Sequence, residues 1–122
     1  MSRDLLTVDA ALPLAEVAGR MVERSVGAVL VLDGERLAGI LTERDVLRAV
    51  ACGIDDEAVV RDWMTTEPET IGPDETTEHA ATLMMHGGFR HLPVTEGEAV
   101  VGILSIRDLM RIALQDSAPR GV

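Results

Sequence analysis

The sequence contains one segment twice, sixty-three positions apart. Gly39–Asp45 (GILTERD) returns as Gly102–Asp108 (GILSIRD). When Val8–Val50 is aligned with Ile71–Ala113 at this offset, the two halves need no gap, and eleven aligned pairs are identical. A gapless internal match of this length indicates that the chain is built from two copies of one structural unit.

The pattern of apolar and turn residues in each copy predicts the element order β-α-β-β-α. In the first copy, Leu5–Val8 is a short lead-in strand, and Pro13 begins a helix. The apolar run Ala28–Leu32 is typical of a buried strand. Asp33-Gly34 is a hairpin signal, so Leu37–Leu41 is predicted as the returning strand.

The helices are expected to bury apolar stripes, because their apolar residues recur at helical spacing. The predicted inward residues are Leu14, Val17, Ala18, Met21 and Val22, then Val46, Leu47 and Val50, then Ala80, Ala81, Met84 and Met85, and finally Leu109, Met110, Ala113 and Leu114.

These elements predict an α+β protein with repeats at 5–53 and 70–116, joined by a linker at 54–69. A single repeat of about 50 residues buries too little surface to be stable alone. The two copies are therefore expected to pack as a pseudo-twofold pair through their sheets. Within the linker, Asp55-Asp56 is predicted to start a short helix, and Trp63 to anchor the segment.

Composition restricts the partners and the setting. The 122 residues carry a formal net charge of −10, which argues against nucleic-acid binding, since that needs a cationic face. The longest apolar run is too short to span a bilayer, and no signal peptide is visible at the N-terminus. The single cysteine, Cys52, fits a reducing compartment, so a cytoplasmic protein is expected.

The repeated segment places a hydroxyl residue at the start of a helix in each copy. Thr42 and Ser105 are predicted N-caps, and Asp45 and Asp108 fall in the first turn, where negative charge suits the helix dipole. Free N–H groups at such a helix start also suit an anion. The same pattern is a capping signature, so a purely structural role is the alternative.

At this point the sequence resembles a known family, the CBS domain pair or Bateman module. The second copy carries the closer match, with Arg90–Val94 (RHLPV) followed by Val101–Leu109 (VGILSIRDL). Val59–Thr65 is similar to the lead-in that such modules carry between their repeats. The resemblance covers roughly residues 5–116.

The resemblance implies a regulatory module that binds adenosine compounds such as AMP, ADP, ATP or S-adenosylmethionine in clefts between the repeats, with no further cofactor. It implies ribose contacts from Asp45 and Asp108. By the same carry-over, phosphate lies near Thr42 and Ser105, with Arg44, Arg107 and Arg90 beside it. His91, next to Arg90, is a further candidate phosphate contact, and a hydrogen-bonded histidine at the start of a strand is the alternative. The implied adenine contacts are Ile71, Leu92, Pro93 and Val94 on one side and Val8, Val29, Leu30 and Val31 on the other. A homodimer and an unknown effector protein are also implied.

The two copies differ where the family has its basic pair. The second copy has Arg90-His91, whereas the first has Gly27-Ala28, so the two clefts are expected to differ in phosphate affinity. The alternative is a ligand-independent dimerisation or interaction module with vestigial clefts. An enzyme is not expected, because no nucleophile–base set, phosphate-binding loop or close-spaced group of metal ligands is visible.

Overall fold

The computed structural model describes residues 5–117. The elements in chain order are β1 (Thr7–Asp9), α1 (Leu14–Arg24), β2 (Ala28–Asp33), β3 (Arg36–Thr42), α2 (Glu43–Ala51), a 3-10 turn (Val60–Asp62), β4 (Thr65–Thr66), α3 (Thr77–Gly87), β5 (His91–Glu96), β6 (Ala99–Ser105) and α4 (Ile106–Ser117). The predicted α+β class and the duplicated arrangement are confirmed. In the second copy the lead-in strand is reduced to one parallel bridge between Ile71 and Val94.

The duplication extends to the strand register. Val8 pairs in parallel with Val31, and the bridge from Ile71 to Val94 occupies the equivalent place. Each antiparallel hairpin shifts its register at the same point, after Val31 in one copy and after Val94 in the other. The two repeats therefore have matching backbones and differ mainly in their side chains.

The linker packs back onto the first repeat. β4 pairs with β3 and completes a sheet of order β1-β2-β3-β4. A Cβ at Gly39 would lie 2.7 Å from the Thr65 carbonyl oxygen, so this close approach requires glycine. Trp63 packs against the first core, as predicted, whereas the helix expected near Asp55 is replaced by the 3-10 turn.

Each repeat has its own aliphatic core, and a third cluster joins them. The joining cluster consists of buried Ala28, Leu30 and Ile40, with Leu5, Leu37, Val100 and Ile103 packed around them. These residues lie mainly on β2, β3 and β6, so the two sheets meet as the repeat predicted.

The prediction that all the helical apolar residues face inward was wrong. Several large side chains are exposed: Val22 (79%), Leu47 (69%), Val50 (63%), Met85 (79%), Met110 (59%) and Leu114 (69%). Each helix buries only part of its apolar stripe, such as Leu14, Val17 and Met21 in α1 and Ala80 and Met84 in α3. The rest of each stripe faces outward.

Candidate ligand-binding cleft

A cleft of about 640 Å³ lies between the two repeats. The second repeat supplies a mostly polar wall, formed by Arg90, His91, Ile103, Ser105, Ile106, Arg107, Asp108 and Arg111. The first repeat supplies a mostly apolar wall, formed by Leu5, Leu6, Ala18, Met21, Val22, Ser25, Val26, Gly27, Ala28, Leu30, Glu43 and Val46. An apolar slot facing a few polar groups is the usual character of a small-molecule site.

The cleft contains the beginning of α4, which Ser105 and Asp108 cap reciprocally. The Asp108 N–H donates to Ser105 Oγ at 3.1 Å, and the Ser105 N–H donates to Asp108 Oδ2 at 2.8 Å. Burial raises the pKa of Asp108, but the hydrogen bonds from Ser105 outweigh it, so the pKa lies below its ordinary value. Asp108 is therefore an ionised acceptor at neutral pH.

The equivalent acid of the first repeat is more enclosed. Asp45 Oδ2 accepts from the Thr42 N–H at 2.9 Å and from Thr42 Oγ1 at 3.0 Å. Asp45 Oδ1 accepts from Arg48 at 3.0 Å, and the whole residue is only 8% exposed. Thr42, Arg44 and Asp45 do not line the cleft. Here the geometry is that of a closed helix cap.

The predicted site residues thus separate into two groups. Arg90, His91, Ser105, Arg107 and Asp108 lie together on the cleft. The predicted adenine contacts of the second copy lie elsewhere: Ile71, Leu92 and Val94 belong to that repeat's core, and Pro93 is fully buried. In the first copy Val8, Val29 and Val31 are core residues, and Leu30 reaches the cleft. Direct ligand contact by any of these residues stays a prediction.

Several lining residues were not singled out from the sequence. Arg111 lies one turn beyond Asp108, with its Nη1 at 3.6 Å from the carboxylate, and its identity with Arg48 in the repeat alignment was the available signal. Glu43 directly follows the Thr42 cap, where the second copy has Ile106. Met21 and Val22 were assigned to a buried helix face. Met21 is buried as predicted and also borders the cleft, whereas Val22 is exposed there.

The polar wall carries a net positive charge. Within residues 5–117, neither Arg90 nor Arg107 forms an ion pair or a side-chain hydrogen bond. Burial lowers the pKa of His91 despite the opposing effect of the Glu43 and Asp108 carboxylates, so the imidazole is mostly neutral at pH 7. Two arginines are therefore available for an anion.

Metal ligands and membrane spans were also sought in the described part of the chain. Residues 5–117 contain no cluster of three His, Cys, Asp or Glu side chains arranged to hold a metal ion. No helix there combines the length and the apolar character needed to cross a membrane.

Comparison with known families identifies the duplicated unit. The sequence model of the CBS domain matches residues 1–52 and 60–115. The chain belongs to the CBS domain family. The resemblance inferred from the repeated segment is confirmed, and the module is a CBS domain pair.

Individual relatives agree with this assignment. An uncharacterised protein of Acidianus ambivalens is 38% identical over 103 residues, 83% of this chain, which spans 62% of that protein's length. The crystal structure of a CBS-domain-containing protein from Agrobacterium tumefaciens has a TM-score of 0.86 at 34% identity, covering 92% of this chain and 91% of that one. A CBS domain protein from Pyrobaculum aerophilum, complexed with AMP, has a TM-score of 0.86 at 28% identity, covering 97% and 94%.

Proposed function

We propose that this CBS pair is a regulatory module that binds an adenosine nucleotide in the cleft beside Asp108. The observation that carries the proposal is the cleft itself, where a capped helix start faces an apolar wall. Beside that helix start lie two arginines that form no ion pair within residues 5–117. The Pyrobaculum relative, solved with AMP, supports the choice of ligand class.

Each wall of the cleft matches one part of such a ligand. The ionised Asp108 carboxylate accepts from the ribose hydroxyls through the lone pairs that Ser105 leaves free. The start of α4, together with Arg90 and Arg107, attracts the phosphate. The aliphatic side chains of the first repeat cover the faces of the base.

Regulation follows if the ligand favours one arrangement of the repeats. The cleft is built from both copies, so a bound nucleotide contacts both and stabilises the arrangement that it fits best. Only a difference in affinity between two states moves their equilibrium. The module would pass this shift to an effector protein.

The test is calorimetric titration with AMP, ADP, ATP and S-adenosylmethionine. Asp108→Ala is compared with Asp45→Ala, which removes the equivalent cap acid from the first repeat and serves as the matched control. We expect one ligand per chain, a loss of at least about tenfold in affinity in Asp108→Ala, since hydrogen bonds to a charged group contribute about 1.5–3 kcal/mol, and wild-type binding in Asp45→Ala. No binding of any compound at millimolar concentration contradicts the proposal, as does equal loss in both variants.

A second proposal is that the chain forms a homodimer through its exposed helix surfaces. The exposed apolar residues occur at equivalent places in both repeats, Val22 with Met85 and Leu47 with Met110. Exposed apolar side chains that are this large and this numerous often mark a protein interface.

Sedimentation of Leu47→Glu tests the dimer. Leu47 is 69% exposed, so the folded chain should tolerate the change while the dimer dissociates. The control is Arg20→Glu, which places the same side chain at an exposed polar position of α1 and should leave association unchanged. A wild-type monomer contradicts the proposal, whereas a dimer that binds no adenosine compound favours the ligand-independent scaffold.

A further inference from the structure

The charge of the cleft is distributed unequally between equivalent positions of the two repeats. The equivalent pairs are Gly27 with Arg90, Ala28 with His91, and Glu43 with Ile106, and all six residues line the cleft. The same backbone hydrogen bond holds each helix start, from the Glu43 N–H to the Gly27 carbonyl at 2.9 Å and from the Ile106 N–H to the Arg90 carbonyl at 2.8 Å. The first repeat therefore contributes the acid Glu43 to the cleft, and the second repeat has Ile106 at the equivalent position. The basic pair Arg90-His91 comes from the second repeat alone.

The Glu43 and His91 side chains both approach the space beside Gly27. A Cβ added to Gly27 would be 3.5 Å from Glu43 Oε1 and 3.5 Å from His91 Nε2, so these two atoms are separated by no more than twice that distance. The absence of a side chain at Gly27 leaves this space open. The Glu43 carboxylate thus lies at the basic end of the cleft.

The two acids of the cleft differ in their bonding. Asp108 accepts hydrogen bonds from Ser105, which fix its position. The Glu43 side chain forms no hydrogen bond or ion pair with any residue from 5 to 117. Glu43 is therefore a carboxylate with no hydrogen-bond or ion-pair partner among these residues, and it lies beside the groups that would receive a ligand's phosphates.

We propose that Glu43 sets the selectivity of the cleft by disfavouring ligands with several phosphates. This inference rests on the proposed nucleotide site and deepens it. A carboxylate repels a nearby anion, and the repulsion grows with each phosphate added to the ligand. An uncharged nucleoside is unaffected, so Glu43 shifts preference from ATP towards AMP.

His91 provides a readout that needs no ligand. The charged groups facing it are Glu43 from α2, Arg107 and Asp108 from α4, and Arg90, which precedes β5. The Glu43 carboxylate raises the pKa of His91 against the dominant effect of burial. Removing that charge should lower the pKa further, as proton NMR can measure among only three histidines.

The experiment compares wild type, Glu43→Gln and Glu35→Gln. Glu35 is exposed in the first hairpin turn, outside the cleft, and its variant has the same net charge as Glu43→Gln. Adenosine, AMP, ADP, ATP and inorganic tripolyphosphate are titrated without divalent cations at constant ionic strength. Because Glu43 is exposed and partly screened, we expect ATP and tripolyphosphate to bind about three- to tenfold more tightly to Glu43→Gln, AMP less so, and adenosine equally.

The outcomes separate this inference from the proposed function. If wild type binds ATP and Glu43→Gln binds it no more tightly, the selectivity role is overturned while the nucleotide site stands. If no adenosine compound binds, but tripolyphosphate binds more tightly to Glu43→Gln and the pKa of His91 falls, the nucleotide proposal fails and Glu43 remains an anion-repelling group. No binding of any probe to either variant overturns both.

Discussion

The two repeats share the order of helices and hairpin strands and the same hairpin register, but their acid-capped helices meet different surroundings. In the first, Arg48 contacts the Asp45 carboxylate at 3.0 Å and the side chain is 11% exposed. In the second, Arg111 lies 3.6 Å from the Asp108 carboxylate, the side chain is 19% exposed, and both residues line the cleft. The same short motif is thus a closed cap in one copy and a cap on a cleft wall in the other.

The repeats also differ in how their cores are completed. The first core receives Trp63 and Met64 from the linker, and β4 extends its sheet to four strands. The second core is formed by fewer buried residues around a two-stranded hairpin. If equivalent substitutions in the two repeats change the free energy of unfolding by different amounts, the contrast is supported. Equal changes would contradict it.

The largest effect is expected from truncating equivalent core leucines. Leu41→Ala should destabilise the protein by about 4 kcal/mol and Leu104→Ala by about 2–3 kcal/mol, because buried Leu→Ala changes cost about 2–5 kcal/mol and more where the cavity cannot collapse. Leu41 is 0% exposed and Leu104 is 7% exposed. Urea unfolding measures both, and a larger cost at Leu104 would refute the ranking.

A smaller effect is expected at Gly87, where the first repeat has Arg24. A Cβ at Gly87 would overlap the ring of Phe89, which packs against the second core. Gly87→Ala should cost about 1–2 kcal/mol, since overpacking costs about 1–3 kcal/mol and the better helix propensity of alanine offsets up to about 1 kcal/mol.

The Phe89 explanation is tested by a double variant, with thermal unfolding as the measurement. Phe89→Val installs the residue that the first repeat has at its equivalent position, Val26. In that background Gly87→Ala should no longer be destabilising. If Gly87→Ala stabilises the protein with Phe89 present, the ring does not restrict that position.

The helix caps should give similar stability losses but different acid responses. Thr42→Ala and Ser105→Ala should each cost about 1 kcal/mol, the usual loss for an N-cap. Hydrogen bonds from Ser105 lower the pKa of Asp108, so the associated stability is present above the ordinary carboxyl pKa and is lost as pH falls through the folded-state value.

Ser105→Ala should therefore raise the pKa of Asp108 and weaken this acid dependence. Carbon-detected NMR titration of the Asp108 carboxyl measures the change, with Thr42→Ala as the control that leaves Asp108 unaffected. An unchanged pKa in Ser105→Ala would show that the serine side chain does not hold the carboxylate.

The smallest effect concerns His91, which has Ala28 as its counterpart. Burial lowers the pKa of His91, so the unfolded chain binds its proton more readily than the folded one. Stability from this source is present above a pH of about 6.5, the ordinary value, and declines as pH falls towards the folded-state pKa. His91→Gln should flatten stability over that window, whereas His86→Gln, exposed on α3, should not. If the free energy of unfolding depends on pH in the same way in wild type and in His91→Gln, this prediction is contradicted.

Much of the fold was predictable because its signals are local and occur twice. An apolar run followed by Asp33-Gly34 favours a hairpin through local backbone preferences alone, and Ser105 followed by Asp108 favours a helix start in the same way. Because the two halves align without a gap, the elements predicted for one half were also expected in the other. Trp63 was correctly predicted to hold the linker against the protein, since a large aromatic side chain is costly to leave in water.

The cleft was less predictable because it depends on how the repeats face each other. Leu92 and Val94 were expected beside a ligand, yet strand alternation alone does not tell which repeat covers them, and they lie in the core. Glu43 was overlooked because its position is informative only once Gly27 and His91 are seen to flank the same space.

The sequence by itself determined that two related β-α-β-β-α units form one module, because backbone preferences, turn residues and apolar spacing act over a few residues each. The tertiary structure decided which copy of the motif meets the cleft, which helix residues stay exposed, and that Glu43 faces the basic wall. Those features depend on contacts between residues far apart in the chain, where small side-chain differences between equivalent positions change what each surface meets.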